Sequence, residues 1–117
     1  VFTDTGANEL RDWLAGSAAT APTHVAIGDD NTAETKTDTV MGNELTRDTI
    51  DTTSTSSKEV TYEWTLLSTE QNGNDIKEVG LFNDPAAGDM FSHATHATIA
   101  KTSSIEVRYR MRVRIIN

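Results

Sequence analysis

The segment that most constrains the fold is the last one. Ile105, Val107, Tyr109, Met111, Val113 and Ile115 occupy every second position, and Glu106, Arg108, Arg110, Arg112 and Arg114 fill the positions between them. A period of two is the signature of a strand with one buried face, because successive side chains point to opposite sides of a sheet. The same alternation recurs where Val60, Tyr62, Trp64 and Leu66 interleave with Glu59, Thr61, Glu63 and Thr65. Two such strands need a sheet, and a sheet with one apolar face needs a second layer to cover it.

Further strands follow from turn chemistry. Asn72-Gly73 is a turn signal, Ile76–Phe82 the next strand, and Asp84-Pro85-Ala86-Ala87-Gly88 turns it back into Met90–Thr95. Upstream, Thr23–Gly28 reads as a strand after the Ala21-Pro22 turn, Leu45–Thr53 as another, and Ser54–Ser57 as a turn. Asp29–Val40 lacks periodicity and reads as an exposed acidic loop. The one helix expected is Thr5–Ala15, with Thr5 as N-cap, Gly16 as its stop and a buried stripe of Ala7, Leu10, Trp13/Leu14 and Ala18. The expectation is a mainly β protein: an antiparallel β-sandwich of about five or six strands with one short N-terminal helix. Residues 1–117 fit a single domain, without repeat or linker.

Composition narrows the function classes. The net charge of −8 disfavours a general nucleic-acid binder. The absence of cysteine excludes disulfides and thiolate metal sites. No run approaches the roughly 20 apolar residues of a membrane span, and Val1-Phe2-Thr3-Asp4 is unlike a signal peptide, so a soluble domain is expected. A hydrophobic content of 36% is low enough that oligomer contacts would add usefully to stability. Abundant aspartate with only Lys36, Lys58, Lys77 and Lys101 fits a protein working at high salt.

Several segments taken in order resemble small tail-fibre-like structural proteins of tailed phages. Asn8–Gly16 followed by Thr23–Gly28 is similar to that family's "LLAG … THIALG" opening, and Met41-Gly42-Asn43-Glu44-Leu45-Thr46-Arg47 to its "LGNE…R" segment. Ile76–Asn83 resembles its "I-x-E-[IV]-G-L-F" strand. Gly88–Ala94 resembles the partner strand, and Lys101-Thr102-Ser103 the "K-T-x" entry to the last one. The acidic, threonine-rich stretch Thr32–Ser57 and the arginine-rich final strand depart from the pattern, the former in the direction of a haloarchaeal tailed virus. The resemblance implies a non-enzymatic virion protein, a tail, baseplate or fibre-associated subunit assembled in the host cytoplasm. Its partners would be copies of itself and other virion proteins. Capsid decoration, a collar or turret, and a host receptor- or glycan-binding module carried by the Asp29–Val40 loop are the alternatives.

The candidate interface residues are Arg108, Arg110, Arg112 and Arg114, with Gly80 and Phe82. Residues 1–57 hold ten acids and three bases, whereas 58–117 hold eight acids and seven bases, four of them in this one strand. Alternation sets the guanidiniums about 7 Å apart on one face. They serve either a cross-strand ladder with Glu59 and Glu63 or a subunit interface engaging carboxylates bidentately. Contact with packaged DNA is disfavoured, since no aromatic is interleaved on that face. Gly80 leaves one strand face bare for close approach. Glu78, Gly80 and Phe82 are expected to share a face with Ile76, and Val79 and Leu81 to share the other. A strand apolar on both faces needs two covers, the second being the helix or another subunit.

No catalytic, metal or cofactor constellation is legible. There is no GxSxG, no phosphate-cradling glycine loop and no HExxH. His93 and His96 are expected on opposite strand faces as polar surface or interface residues, with His24 elsewhere. Asp29, Asp30, Asn31 and Glu34 lack EF-hand spacing.

Overall fold

A computed structural model describes residues 1–117. The chain runs α1 (Asp4–Leu14), β1 (His24–Gly28), β2 (Glu44–Thr49), β3 (Thr52–Ser56), β4 (Glu59–Leu66), β5 (Asp75–Phe82), β6 (Met90–Ala100) and β7 (Val107–Arg114). The strands form two antiparallel sheets, one of four in the order β2-β1-β5-β6 and one of three in the order β3-β4-β7. The fold is thus mainly β, sandwich-like, with one short helix, as expected, but it has seven strands rather than five or six.

The extra strand comes from the weakest segment. The expected Leu45–Thr53 strand is two: β2 pairs with β1 in the larger sheet, the chain bends at Ile50-Asp51, and β3 pairs with β4 in the smaller sheet. Residues read as a turn, Ser54–Ser56, belong to β3, and the reversal falls on Ser57, which takes a positive φ of 54°. All of β3 is exposed, so it has no buried residue to give it a period. The last strand is also shorter than its pattern, and β6, at 11 residues, is the longest.

The main core lies between the sheets. Val25, Ile27, Ile76, Val79, Leu81 and Phe91 from one side meet Tyr62, Trp64, Leu66, Val107 and Tyr109 from the other. Trp64 and Tyr109 stack with centroids 6.0 Å apart, an arrangement worth about 0.5–1.5 kcal/mol beyond area burial. Ile76 joins Val79 and Leu81 here, contrary to strict alternation. The β5–β6 register shifts between Ile76 and Glu78, and a bulge of this kind moves side chains to the opposite face.

A second, smaller core of Ala26, Met41, Phe82 and Met90 lies against the outer face of the larger sheet. Ala26 pairs with Gly80 and Gly28 with Glu78, leaving a trough of small residues. A Cβ on Gly80 would stand 2.6 Å from the Met41 sulfur and 3.0 Å from the Phe82 ring. The second cover of β5 is therefore neither the helix nor another subunit but the segment leading to β2.

The N-cap lies two residues earlier than expected: it is Thr3, not Thr5, and its side chain accepts a hydrogen bond from the Gly6 amide. It ends before Gly16, whose φ of +77° suits glycine. Its mounting is a correction to the predicted stripe. Only Gly6 is buried, with no room for a Cβ against the Phe91 backbone, while Leu10, Trp13 and Leu14 are 44%, 66% and 72% exposed. The helix rests on β6 through its first turn and holds its apolar stripe over an open groove of about 560 Å³. Phe2, Tyr62, Val113 and Ile115 line the groove's other side.

Candidate functional site: a buried acid–histidine clasp and an open arginine edge

The most unusual polar group is Glu78, fully buried on β5. A carboxylate so placed needs a partner for every lone pair. Its oxygens accept hydrogen bonds from the amides of Gly42 (2.8 Å), Asn43 (2.8 Å) and Asp30 (3.1 Å), and Oε1 lies 2.8 Å from His93 Nε2. The other imidazole nitrogen, Nδ1, is 2.7 Å from Asp38 Oδ2. Asp38 in turn accepts from the amide and hydroxyl of Thr35, each at 2.9 Å.

The result is a line of Glu78, His93 and Asp38 that ties the segment 29–43 down at both ends and in its middle. Glu34 accepts from the Thr95 hydroxyl at 2.6 Å, and the Lys36 carbonyl accepts from the Asp4 amide at 2.7 Å. The stretch read as an exposed acidic loop is a loop and mostly exposed, as expected, but it is anchored by its own side chains and backbone rather than free. His93, read as a surface or interface residue, is 5% exposed at its centre.

Electrostatics agrees with the geometry. Burial pulls the His93 pKa down, but the hydrogen bonds and charges of Asp38 and Glu78 outweigh it and hold the imidazole above its ordinary value. The Thr35 amide, followed by His93, holds Asp38 below the usual carboxylate range. Both imidazole nitrogens are engaged, Nδ1 by Asp38 and Nε2 by Glu78. The ring thereby links the Asp38 segment to Glu78 on β5.

Arg47 makes a second anchor. Its side chain, 7% exposed, grips Glu44 through Nη2 (2.6 Å) and Nε (3.2 Å) and donates to the carbonyls of Asp84 and Ala87 at 3.1 and 2.7 Å. The guanidinium lies 3.7 Å over the Phe82 ring. Phe82 itself is 2% exposed. Gly80 and Phe82, expected at a subunit contact, thus lie inside the chain's own second core. Lys101 is the third buried charge, its ammonium 2.8 Å from Asn72 Oδ1, 3.1 Å from the Thr102 carbonyl and 3.3 Å from that of Ser68.

The four candidate arginines lie together, exposed, along β7 at the edge of the three-stranded sheet. The register sets Arg110 opposite Glu63, Arg112 opposite Thr61, Arg114 opposite Glu59 and Arg108 opposite Thr65. Arg110 Nε reaches Glu63 at 3.1 Å, while Arg112 (3.6 Å) and Arg114 (3.2 Å) share Glu59. The cross-strand ladder is therefore present, but Arg108 has no ion pair. His96 is not in this row: its Nε2 lies 2.9 Å from the Tyr109 hydroxyl, whose pKa burial pushes up.

The clasp left a trace in the sequence. An acid at position 78, on a strand apolar on both faces and paired by a tight turn to a strand carrying His93, demands a partner across the hairpin. Asp38 left none, since a featureless loop has no period. Compared with known proteins, the chain matches no protein-family model, and no curated protein matches its sequence.

Proposed function

We propose that this chain is a non-enzymatic structural subunit of a tailed virus particle, acting in the tail, baseplate or fibre region by packing against copies of itself and neighbouring virion proteins. The observation that carries this reading is the convergence of the resembling segments. Gly42 and Asn43 of one motif and His93 of a third bond to Glu78 of a second, while Glu44 and Arg47 of the first lie beside Phe82 of the second, all on one face of the larger sheet. Segments that resemble one family in sequence order are thus also neighbours in space, which supports reading them as one unit. The acidic, lysine-poor surface belongs with the same reading as an adaptation to a saline host. In that case the unfolding midpoint rises between about 0.1 M and molar NaCl as self-repulsion is screened.

The test is gold-labelled antibody electron microscopy on purified particles, with mass spectrometry of the same particles. Label at the tail or its tip supports the proposal. Label over the head or at its vertices replaces the tail address with capsid decoration, a collar or a turret. Absence of the protein from the particle spectra defeats the virion reading.

A second reading, host-surface or glycan recognition, is favoured by the anchoring of residues 29–43. Loops held in fixed shape on a rigid sheet are common carriers of recognition. An isolated domain that attaches to host cells, and ceases to when residues 31–37 are replaced, would establish it.

A further inference from the structure

The three-stranded sheet ends in two open and very different edges. On the β7 side, the Ile115 amide donates to the Lys58 carbonyl at 2.8 Å, in line with the Glu59–Arg114 register. In an antiparallel ladder bonded pairs recur at every second residue. Val113, Met111, Tyr109 and Val107 therefore bond to β4, and Arg108, Arg110, Arg112 and Arg114 turn their backbone N–H and C=O groups outward. The residues with free backbone groups are the residues with the charges.

On the other side β3, Thr52-Thr53-Ser54-Thr55-Ser56, is exposed at all five positions and pairs only with β4. It carries no charge, no proline and no apolar residue. Native edges are ordinarily blunted by such devices, and this one is bare. A threonine-rich strand with neither face covered is held by its ladder alone and gains from a neighbour.

We propose that the arginine edge of one copy adds to the β3 edge of the next, so that the three-stranded sheets of successive copies join head to tail. This deepens the assembly reading above, and rests on it for its biological setting. Of the three ways two copies can meet through these edges, β7 against β7 sets like charges face to face. β3 against β3 leaves both arginine edges open. Only β7 against β3 uses both edges of every copy, and such a heterologous contact generates a ring if its rotation closes.

The levels also match. β3 and β7 both run antiparallel to β4 and so parallel to each other. Within a copy Thr52 is level with Glu63 and Arg110, and Ser56 with Glu59 and Arg114. Rotation about an axis along the strands preserves those levels. It brings Arg110 of one copy beside Thr52 of the next, Arg112 beside Ser54, and Arg108 to the Asp51 end.

Three acids gather near that end, Asp48, Asp51 and Glu70, with Asp51 accepting from the Thr65 amide, Glu70 from the Leu67 amide and His24 the one opposing charge on Asp48. Burial and the neighbouring charges of Glu70 and Asp51 hold the Asp48 carboxyl above its ordinary value, and none of the three acids has an ion pair. The arginine without an acid partner would thus meet acids that have no ion pair. The other arginines would lie over short hydroxyl side chains, within reach of a glutamate row two strands, about 10 Å, away.

The absence of cysteine makes the test unambiguous. Ser54→Cys and Arg112→Cys, both at exposed sites, are purified separately, mixed at high concentration and oxidised, with one variant mass-tagged. Adjacent strands place the two Cα atoms within the span of a disulfide, about 4.4–6.8 Å. The expected result is a mixed disulfide in at least about tenfold excess over the background from Ala18→Cys, because assembly raises the effective concentration. The double variant should form a ladder of covalent oligomers, and Arg108→Glu with Arg110→Glu on that background should abolish it. Crosslinking of Ser54→Cys only to itself, of Arg112→Cys only to itself, or of neither above background overturns the proposal. Because this readout needs no particle, it separates the two claims. A positive crosslink without virion label defeats only the virus reading, and virion label without the crosslink defeats only the edge pairing.

Discussion

The outer faces of the two sheets both carry charged groups and use them in opposite ways. On the four-stranded sheet, Glu78 and His93 are drawn inside under residues 29–43, which reach down to His93 through Asp38, and every buried side-chain polar atom has a partner. On the three-stranded sheet, Arg108 to Arg114 stand in water, half-matched by Glu59 and Glu63. Removing one member of a desolvated network strands the others without water to replace it. An exposed ion pair loses little, since water and salt ions already compete for it. The first face is built to hold one shape and the second to remain available.

The sharpest way to break this comparison is Glu78→Ala. It leaves the amides of Asp30, Gly42 and Asn43 and the His93 ring without their acceptor, and a loss of about 3–5 kcal/mol is expected. Urea unfolding monitored by tryptophan fluorescence reads it, and a loss below 1 kcal/mol, on the same scale as an exposed pair, would erase the distinction. Gly28→Ala probes the same clasp by volume rather than charge. Its methyl would overlap the Asn43 carbonyl and the Glu78 carboxylate, and backbone on one side cannot yield. A cost of about 1–3 kcal/mol is expected in the same assay.

Acidity sharpens the contrast further. A His93 pKa raised above the ordinary 6.5 means that folding tightens proton binding. Its contribution is complete below about 6.5, the unfolded value, and is lost as pH climbs through the folded one. Asp38, lowered from 3.8, contributes above that value, and its share is lost as pH falls through the lower folded one. The clasp is therefore strongest between about pH 4 and 6.5 and weakens on the alkaline side. Unfolding midpoints across pH should show that alkaline decline in the parent chain and a flattened profile in His93→Gln. The smallest effect belongs to the ladder. A double-mutant cycle on Arg110→Ala and Glu63→Ala should return a coupling of about 0.2–1 kcal/mol that shrinks in molar salt.

The two faces also differed in how legible they were. The arginine row, its orientation and its pairing with Glu59 and Glu63 followed from a period of two, because an exposed face repeats every second residue and needs nothing else to specify it. The clasp was legible only in part: Glu78 and His93 sit on adjacent strands of one hairpin, but only tertiary contact brings Asp38 to His93. The missed strand has the same origin in reverse: with nothing buried, β3 has no pattern to betray it, and its Ser-Thr composition mimics a turn. The helix misled for a third reason. Its stripe at residues 10, 13 and 14 is real, but amphipathicity states that a face prefers cover and not that this chain supplies it.

Lys101 has a consequence of its own. Just past the end of β6, its ammonium, 1% exposed as a residue, reaches into the turn between β4 and β5, where the Ser68 carbonyl and Asn72 Oδ1 accept from it alongside the carbonyl of its own neighbour Thr102. Oxygen cages of this kind are where proteins seat hard cations such as calcium, which exchange with the medium and can be stripped from it. Here the cation is covalently part of the chain. The turn is filled only once the end of β6 docks against it, and the charge that fills it, tethered through Lys101, is not one that a chelator can remove.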